Sequence, residues 1–251
     1  MLDEWQSKLY DDKHYFVSNY GKGILELLEP LKGEKILDVG CGTGDLAVEI
    51  SKSGAIEKGI DKSEDMIQTA QSKYPDLNFA TVDILNMDYN EEFDAVFSNA
   101  ALHWLQQPKE GLQKIYQSLG EDGRFVAEFG GKNNVMMIRN ALHAAYSNLF
   151  SDSPPLKEPW YFPSIAEYTT LMEEVGFTVH YARYYSRPTP LEGTDGLANW
   201  ILMFGEGMLQ HLTKDEKRTL IENVEKSLKT TLYMDHQWIA DYCRIQVIGK
   251  K

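Results

Sequence analysis

The sequence has few cysteines and no long apolar run, and both shortages exclude classes of protein. Two cysteines in 251 residues are too few for a disulfide scaffold, so a reducing, cytoplasmic location is expected. No apolar stretch approaches the ~20 residues that a membrane-spanning helix needs, and the acidic N-terminal stretch lacks the apolar core of a secretion signal. The sequence therefore predicts a protein without a membrane partner.

Basic residues are also scarce, since 25 lysines and arginines face 38 aspartates and glutamates and the net charge is −13. Nucleic-acid binding relies on a basic surface that releases counterions, so no nucleic-acid partner is expected. The acidic excess lies in residues 1–130, whose net charge is −12, whereas residues 131–251 carry −1. The cation for any anionic ligand group is therefore expected in the second half.

Two kinds of catalytic motif are missing as well. No group of histidines and cysteines has the spacing of a metal site, so no metal is expected. The Gly-x-Ser-x-Gly elbow found in one class of hydrolases is absent. Cys41 has no histidine or lysine close in the sequence that would activate its thiol, so it is interpreted as a small packing residue.

What the sequence does contain is a regular alternation of short apolar strands and helices up to about residue 130. Strands are predicted at residues 35–39, 57–60, 78–82, 93–98, 124–129, 177–185 and 238–249. Mostly apolar strands are typical of a parallel sheet buried on both faces. The fold class is therefore predicted as α/β, with a Rossmann-like, doubly wound, mostly parallel sheet of seven strands.

The second half loses this alternation. Helices are predicted at residues 135–150, 164–176, 194–212 and 213–229, and residues 153–163 form a loop rich in proline and aromatic residues. Its Trp160 to Phe162 fit either a hydrophobic plug or a substrate platform. Residues 1–251 are interpreted as a single domain with a ligand-binding core at 35–130. The segments 133–163 and 189–237 are interpreted as helical insertions that cover the active site.

The most informative segment is Ile36-Leu-Asp-Val-Gly-Cys-Gly-Thr-Gly-Asp45, which joins a strand to a helix. Gly40, Gly42 and Gly44 permit a close approach of a ligand to the backbone. Their spacing differs from the G-x-G-x-x-G of dinucleotide-binding proteins, and Asp45 stands where the third glycine is expected. An acid at a helix start would repel a pyrophosphate, so the loop favours a ligand without phosphates.

Aspartates stand at the ends of the first three predicted strands, at positions 38, 61 and 83. The carboxylate of Asp61 suits the hydroxyl groups of a ribose, and that of Asp83 suits an exocyclic amine such as adenine N6. Each aspartate alone is also typical of a helix cap or a turn. Three of them at the carboxyl edge of one open α/β sheet favour a ligand site.

Together these residues resemble class I S-adenosylmethionine-dependent methyltransferases. The resemblance is carried by ILDVGCGTGDLA, GIDKSEDMIQTAQ, TVDILNM and FDAVFSNAALHWL, in this order over residues 35–130. It implies S-adenosyl-L-methionine as the cofactor, S-adenosyl-L-homocysteine as its product, and one antiparallel strand in the sheet.

A finer resemblance is to the trans-aconitate methyltransferase group. It is carried by Trp5, Leu9-Tyr10, SNAALHW, Glu167-Tyr168 and Leu197 to Trp200. The stretch Gly205-Glu-Gly-Met208 lacks the arginine that this group has after the tryptophan. One carboxylate clamp of the group is therefore missing here.

The resemblance also implies roles for individual residues. Cofactor contacts fall on Tyr10, Tyr15, Asp38, Gly40, Cys41, Gly42, Asp61, Lys62, Met66, Asp83, Ile84, Asn99 and Ala100. Catalytic roles fall on Tyr10 and Trp104, which would close over the substrate, and on His103.

His103 is the candidate base because the ordinary pKa of histidine is near ~6.5, although His103 and Trp104 also fit the packing of a helix start. A carboxylate acceptor needs no base and would need a cationic clamp instead. The candidates for that clamp are Arg139, Arg183, Arg187 and Arg244.

The predicted function is methyl transfer from S-adenosyl-L-methionine to a small molecule with an oxygen or carboxylate nucleophile, by in-line displacement. One alternative is a non-catalytic S-adenosylmethionine-binding protein, because a fold does not secure an activity. A less supported alternative is an NAD-dependent oxidoreductase. The protein is expected to be a monomer or a weak homodimer.

Overall fold

The computed structural model describes residues 23–251. Its strands are β1 (Lys35–Val39), β2 (Ile56–Asp61), β3 (Asn78–Thr81), β4 (Phe93–Asn99), β5 (Leu119–Gly130), β6 (Thr178–Leu191), β7 (Tyr233–Met234) and β8 (Gln237–Lys250). They form one sheet in the spatial order β3-β2-β1-β4-β5-β8-β6, and β7 pairs with β8. Strands β1 to β5 pair in parallel, whereas β8 is antiparallel to both of its main neighbours. The predicted α/β fold with one reversed strand is confirmed.

The predicted number of seven strands was wrong, because the described residues hold eight. The additional strand β7 forms a hairpin with the start of β8. Asp235 and His236 between them have φ values of 48° and 62°. Positive φ at both central residues is the geometry of a tight two-residue hairpin turn, which asparagine and glycine usually mark. The sequence Asp-His carries little of that signal.

The helices flank the sheet and cover one of its ends. They are α1 (residues 23–28 in the described range), α2 (Asp45–Ser51), α3 (Glu64–Lys73), α4 (Pro108–Ser118), α5 (Met136–Leu149), α6 (Ile165–Val175), α7 (Gly196–Phe204), α8 (Glu206–Leu209) and α9 (Lys214–Leu232). Capping boxes at Ser164 and Thr213 fix the starts of α6 and α9, as predicted. The helix predicted over residues 194–212 is instead divided at Gly205.

Three large clusters of buried side chains hold these elements together. One cluster on the sheet contains Ile36 and Phe97, and a second contains Phe125 and Met172. The third joins α5, α7 and α9 to β8 and contains Trp200 and Leu228. Residues of both predicted insertions share this third cluster, and the division of the chain into a core and cover insertions stays a prediction. No helix within residues 23–251 is long and apolar enough to cross a membrane.

Candidate active site

A cavity of about 310 Å³ lies at the carboxyl ends of β1, β2 and β4. Open α/β sheets bind ligands at this edge, because the loops that follow parallel strands converge there. The predicted site residues that line the cavity are Gly40, Gly42, Asp61, Lys62, Met66, Asp83, Ile84, Asn99, Ala100, His103 and Trp104. Tyr10 and Tyr15 lie outside the described residues.

The glycine-rich loop after β1 brings the backbone to the cavity. Gly40 has φ +74°, and a Cβ atom added to it would lie 2.2 Å from the Cβ of Ala101, so a larger residue does not fit. Gly42 has φ +55°, and a Cβ atom there would meet no atom of the described residues within 4 Å. The loop therefore leaves a space beside the Gly42 backbone that a side chain would fill and a ligand can enter.

Asp61 at the end of β2 holds this loop in place. Its Oδ2 accepts a hydrogen bond from the Gly42 N–H at 3.1 Å, and its Oδ1 accepts one from the Ser63 N–H at 2.9 Å. The carboxylate is thus fixed between the loop and the start of α3, while it still faces the cavity. A carboxylate in this position can accept further hydrogen bonds from hydroxyl groups of a ligand.

Asp38 and Cys41 lie behind the cavity wall rather than in it. Asp38 is 2% exposed, and none of the described residues forms a hydrogen bond with its Oδ2. Burial, and to a smaller extent the charge of Asp61, raise the pKa of Asp38 to about 8. Cys41 packs against Phe79 and Ala47, and burial raises the pKa of its thiol well above the ordinary value. The thiol is therefore a packing group and is not poised as a nucleophile.

The loops after β3 and β4 form two more parts of the wall. Asp83 Oδ1 accepts a hydrogen bond from the Leu85 N–H at 2.9 Å and caps the turn that places Ile84 at the cavity. Asn99 ends β4, and its buried Oδ1 has no hydrogen-bond partner among residues 23–251. A buried acceptor at a cavity wall usually has a partner. Asn99 therefore marks a position where a ligand donor fits.

His103 follows β4 in a short 3₁₀ turn and is 8% exposed. Its Nδ1 accepts a hydrogen bond from the Gly130 N–H at 3.4 Å, which leaves the proton of the neutral ring on Nε2. Burial, and secondly the charge of Arg244, lower the pKa of His103 well below the ordinary value. The ring is consequently a weak base and is better suited to donating a hydrogen bond through Nε2.

Arg187 of β6 and Arg244 of β8 stand at the far wall of the cavity and share one carboxylate, that of Glu128 on β5. Glu128 Oε1 lies 2.6 Å from Arg187 Nη1 and 3.4 Å from Arg244 Nε. Glu128 Oε2 accepts hydrogen bonds from the Tyr185 hydroxyl at 2.7 Å and from Gln246 Nε2 at 2.8 Å. These bonds fix both arginine side chains beside the cavity.

The ionisation of the Glu128 carboxylate follows from its burial and from the residues around it. Burial alone would raise the pKa of Glu128. The charges of Arg244 and Arg187, together with the hydrogen bonds from Tyr185 and Gln246, outweigh burial and hold that pKa below the ordinary value. Arginine stays protonated in proteins. An ionised Glu128 carboxylate thus lies between two guanidinium groups at the cavity wall.

The other two candidate clamp arginines do not line the cavity. Arg139 forms an ion pair with Glu158, and Arg183 lies 4.8 Å above the ring of Tyr185. Only part of the predicted arginine set is thus brought together at the site.

The rest of the far wall is aromatic. We define the aromatic wall as Trp104, Trp160, Trp200 and Phe204, all of which line the cavity. Neighbouring ring centroids lie 5.8 Å apart for Trp104–Trp160, 6.1 Å for Trp160–Trp200, 5.3 Å for Trp200–Phe204 and 6.5 Å for Trp104–Phe204. The four rings therefore form a closed circuit. Within residues 23–251, no cluster of three or more metal-ligating side chains accompanies them.

Comparison with known proteins decides the family. An uncharacterized methyltransferase of Schizosaccharomyces pombe is 32% identical over 260 residues, which cover 99% of this chain and 98% of the relative. The chain belongs to the methyltransferases. Residues 37–127 of this methyltransferase also match the family model of a methyltransferase domain. The methyltransferase is also 26% identical to trans-aconitate 2-methyltransferase of Shigella dysenteriae, over all of this chain and 99% of the relative.

Solved structures agree on the fold of this methyltransferase. The YcgJ protein of Bacillus subtilis superposes with a TM-score of 0.64 at 15% identity, covering 92% of this chain and 97% of the other. Phosphoethanolamine N-methyltransferase 2 of Haemonchus contortus, in complex with S-adenosyl-L-methionine, gives 0.57 at 17% identity, covering 93% and 52%. The predicted class I S-adenosylmethionine-dependent methyltransferase, with S-adenosyl-L-methionine as its cofactor, is confirmed.

Several residues of the methyltransferase site had not been predicted from the sequence. They are Glu128, Gln246 and Tyr242, which surround the two arginines, and Asn134 and Val135, which line the cavity. Glu128 lies near the carboxyl end of β5, where an acidic residue within the buried run of residues 125–130 is a usable signal. The other residues offered no such signal, because their places depend on how β8 pairs with β5 and β6.

Proposed function

We propose that this methyltransferase transfers the methyl group of S-adenosyl-L-methionine to a carboxylate oxygen of a small molecule. The observation that carries the proposal is the pair Arg187 and Arg244 at the cavity wall, with the single carboxylate of Glu128 between them. Guanidinium groups bind carboxylates through charge-assisted hydrogen bonds. A relative named for trans-aconitate, which is a carboxylate, supports the same acceptor chemistry.

The near half of the cavity fits the cofactor. When bound, S-adenosyl-L-methionine supplies a methyl group that its sulfonium already activates. We place its ribose hydroxyls on Asp61 and its adenine beside Met66, Asp83 and Ile84. The space at Gly42 and the Oδ1 of Asn99, which has no partner within the described part of the chain, suit the polar methionine part. The remaining proposed contacts are Tyr10, Tyr15, Asp38, Gly40, Cys41, Lys62 and Ala100, of which Asp38 and Cys41 act through the loop.

The proposed reaction moves no proton. A small carboxylic acid is ionised near neutral pH, so its oxygen attacks without a base. The new carbon–oxygen bond forms as the carbon–sulfur bond breaks, and the electron pair of that bond stays on sulfur. His103, which is a weak base, instead donates from Nε2 to the carboxylate, and Arg187 and Arg244 hold its charge.

The chain contributes mainly by alignment and by excluding water. Holding two reactants in line can contribute ~7–11 kcal/mol to lowering a barrier. We expect Trp104 and the rest of the aromatic wall to keep water from the reacting atoms, and aromatic faces near a sulfonium would attract it.

An arginine substitution tests the proposal. Arg244→Met retains the length of the side chain and removes its charge, so we expect roughly a tenfold or larger loss of kcat/KM with a carboxylic acid acceptor. Affinity for S-adenosyl-L-homocysteine, measured by calorimetry, should stay unchanged. Arg183→Met, an exposed arginine on the same sheet, is the matched control and should retain activity.

Two outcomes would contradict the proposal. Equal activity of both variants would mean that Arg244 does not hold the acceptor. Binding of S-adenosyl-L-homocysteine without methyl transfer to any carboxylate, phenol or amine would favour a non-catalytic binding protein.

We also propose a cellular compartment, a size class for the acceptor and an oligomeric state for this methyltransferase. We place the reaction in a reducing compartment such as the cytoplasm, because Cys41 and Cys243 are both free. A small-molecule acceptor fits a cavity of about 310 Å³, and the acidic excess opposes a nucleic-acid substrate. A monomer or weak homodimer stays our prediction for the oligomeric state.

A further inference from the structure

Asn134 lies between β5 and α5 and lines the cavity, although the reaction proposed above gives it no role. Its side chain is buried, since the residue is 2% exposed, and its Oδ1 accepts a hydrogen bond from the Cys243 N–H of β8 at 2.9 Å. A backbone N–H can only donate, so this contact identifies the oxygen of the Asn134 amide. The other polar atom of the side chain is therefore Nδ2, which carries two hydrogen atoms to donate.

The backbone on both sides of Asn134 is held in a strained conformation. The flanking Asn133 and Val135 have φ values of 66° and 46°. A positive φ is uncommon outside glycine, and for the β-branched Val135 it is an outlier that persists only where the surrounding structure holds it. Strand β8 supplies that hold, because Asp241 accepts hydrogen bonds from the Val135 N–H at 3.0 Å and, through Oδ2, from the Met137 N–H at 2.8 Å. Such strain is concentrated at sites that require one fixed geometry.

Gly130, at the end of β5, is the point where Asn134 meets the other groups of the acceptor site. A Cβ atom added to Gly130 would lie 2.8 Å from Asn134 Nδ2 and 2.5 Å from Phe162 Cε1, so glycine leaves room there for the amide and the ring. The Gly130 N–H donates to His103 Nδ1, which leaves the His103 proton on Nε2. Gly130 is also the register partner of Arg244 on β8. Two uncharged donor groups and one guanidinium group therefore belong to the same part of the cavity wall.

Uncharged donors suit one of the two oxygens of an acceptor carboxylate. The oxygen that attacks the methyl group forms the new carbon–oxygen bond and becomes the bridging oxygen of the ester. The second oxygen becomes the carbonyl oxygen of the ester, so it accepts hydrogen bonds both before and after the transfer. Donors bound to the second oxygen therefore keep their partner throughout the reaction, and they fix the rotation of the carboxylate so that the first oxygen faces the methyl group.

We propose that Asn134 is an acceptor-binding residue, whose Nδ2 donates a hydrogen bond to the carboxylate oxygen that is not methylated, beside His103. This inference rests on the proposed function, because it takes a carboxylate as the acceptor. It adds which oxygen is bound by uncharged donors and which residue sets the orientation of the carboxylate. The strained turn around Asn134 then serves to hold the amide in its donating position.

An aspartate substitution tests the donor and retains the acceptor oxygen. Asn134→Asp retains an oxygen for the Cys243 N–H and replaces Nδ2 by an oxygen that repels a carboxylate. Asn133→Asp places the same charge one residue away on an exposed side chain, and it is the matched control because both residue types tolerate a positive φ. The probes are 3-phenylpropanoate and trans-aconitate, each titrated by calorimetry into the complex with S-adenosyl-L-homocysteine. We expect Asn134→Asp to weaken acid binding by roughly tenfold or more, and Asn133→Asp to change it by less than about twofold.

Nuclear magnetic resonance of the wild-type protein gives a second measurement that needs no stable variant. Adding either acid to the complex with S-adenosyl-L-homocysteine should shift the side-chain N–H signals of Asn134 and leave those of Asn133 in place. This measurement decides the matter if Asn134→Asp loses its affinity for S-adenosyl-L-homocysteine and so fails to fold. Equal acid affinities of the two folded variants, an unshifted Asn134 signal, or no binding of either acid to the wild type would overturn the inference.

Assays of methyl transfer then separate this inference from the proposed function. Ester formation that is slowed in Asn134→Asp and unchanged in Asn133→Asp would support both. Ester formation at equal rates in the two variants would overturn the role of Asn134 and leave the proposed function intact. Acid binding that depends on Asn134, without formation of any ester, would sink the proposed methyl transfer to carboxylates and leave the binding role of Asn134 standing.

Discussion

Asp61 shows how one side chain can serve both the fold and the site. It accepts hydrogen bonds from the N–H groups of Gly42 and Ser63, and so ties the glycine-rich loop to the start of α3. The same carboxylate faces the cavity. Removing it therefore affects a ligand both directly, through lost acceptor oxygens, and indirectly, through the position of Gly42.

The first prediction concerns this residue. Asp61→Ala should weaken binding of S-adenosyl-L-homocysteine by at least tenfold, which corresponds to about 1.4 kcal/mol. Asp61→Asn retains one acceptor oxygen and should lose less affinity than Asp61→Ala. Calorimetry with both variants measures this, and an affinity equal to that of the wild type in Asp61→Ala would mean that Asp61 does not hold the ribose.

The second prediction concerns Glu128, the buried carboxylate between Arg187 and Arg244. Glu128→Gln removes the negative charge that Arg187 and Arg244 share, and removing one partner of a buried ion pair typically costs about 3–5 kcal/mol. We expect a loss of this size in the free energy of unfolding, measured with urea. Glu173→Gln on the exposed face of α6 is the control and should change the stability little. Similar stabilities of the two variants would show that the buried pairing contributes little.

At the scale of elements, the loop between α5 and α6 supplies a removable part of the site. It carries Trp160 and Phe162 to the cavity. Glu158 in the same loop receives hydrogen bonds from Arg139 and lies 2.9 Å from His143 Nε2, and both partners belong to α5. This attachment is half-buried and fixes the loop at a point next to the aromatic wall.

The third prediction is that loosening this attachment weakens acceptor binding and spares the cofactor. Glu158→Gln should raise the KM for the acceptor by roughly fivefold, the equivalent of about 1 kcal/mol for one ion pair. The affinity for S-adenosyl-L-homocysteine should stay unchanged. Glu174→Gln breaks the exposed pair with Lys109 on another face and serves as the control. An unchanged KM in Glu158→Gln would mean that the loop is held by its rings alone.

Elements differ in how far the sequence determines them. The strands β1 and β4 are apolar and buried, and α6 and α9 begin with complete capping boxes, so local patterns sufficed to predict them. The strand β6 runs to Leu191, six residues beyond its predicted end at residue 185. It is an edge strand in which exposed polar residues and two prolines dilute the pattern, and its pairing with β8 extends it.

The residues of the candidate site also differ in how far the sequence determines their position. The glycine-rich loop and the aspartates at 38, 61 and 83 are local features of short segments, so the sequence alone placed them near a cofactor. The grouping of Glu128 with Arg187 and Arg244 depends on the register of three strands that are distant in the chain. A spacing rule for one segment cannot predict such a register.

At the scale of the whole molecule, the formal net charge of −13 counts carboxyl groups that are buried as well as carboxyl groups that face solvent. Asp38 and Glu57 are 2% and 6% exposed. Within residues 23–251, Oδ2 of Asp38 and both carboxylate oxygens of Glu57 have no hydrogen-bond partner. Burial, followed by the nearby charge of Asp61, raises the pKa of Asp38 to about 8. Burial, followed by the charge of Asp38, raises the pKa of Glu57 to about 9. Both groups are thus protonated in the folded protein at pH 7.

These two groups make the stability of the folded protein depend on pH. The unfolded chain ionises them near their ordinary pKa values of 3.8 and 4.5, so above that range the folded state binds more protons than the unfolded state. Stability then falls as the pH rises towards 8, by at most about 1.4 kcal/mol per pH unit for each group. The lowered pKa of His103 acts in the opposite direction only below pH 6.5, the ordinary histidine value.

The fourth prediction isolates one of these groups between pH 7 and pH 8. The free energy of unfolding, measured with urea, should decrease over this range in the wild type. Glu57→Gln has no carboxyl group to ionise, so its stability should decrease less steeply, by up to about 1.4 kcal/mol per pH unit. Glu92→Gln, an exposed glutamate, should retain the wild-type slope. The slope of the unfolding free energy against pH is informative even where Glu57→Gln changes the absolute stability. Equal slopes in Glu57→Gln and the wild type would mean that Glu57 is already ionised in the folded protein at pH 7.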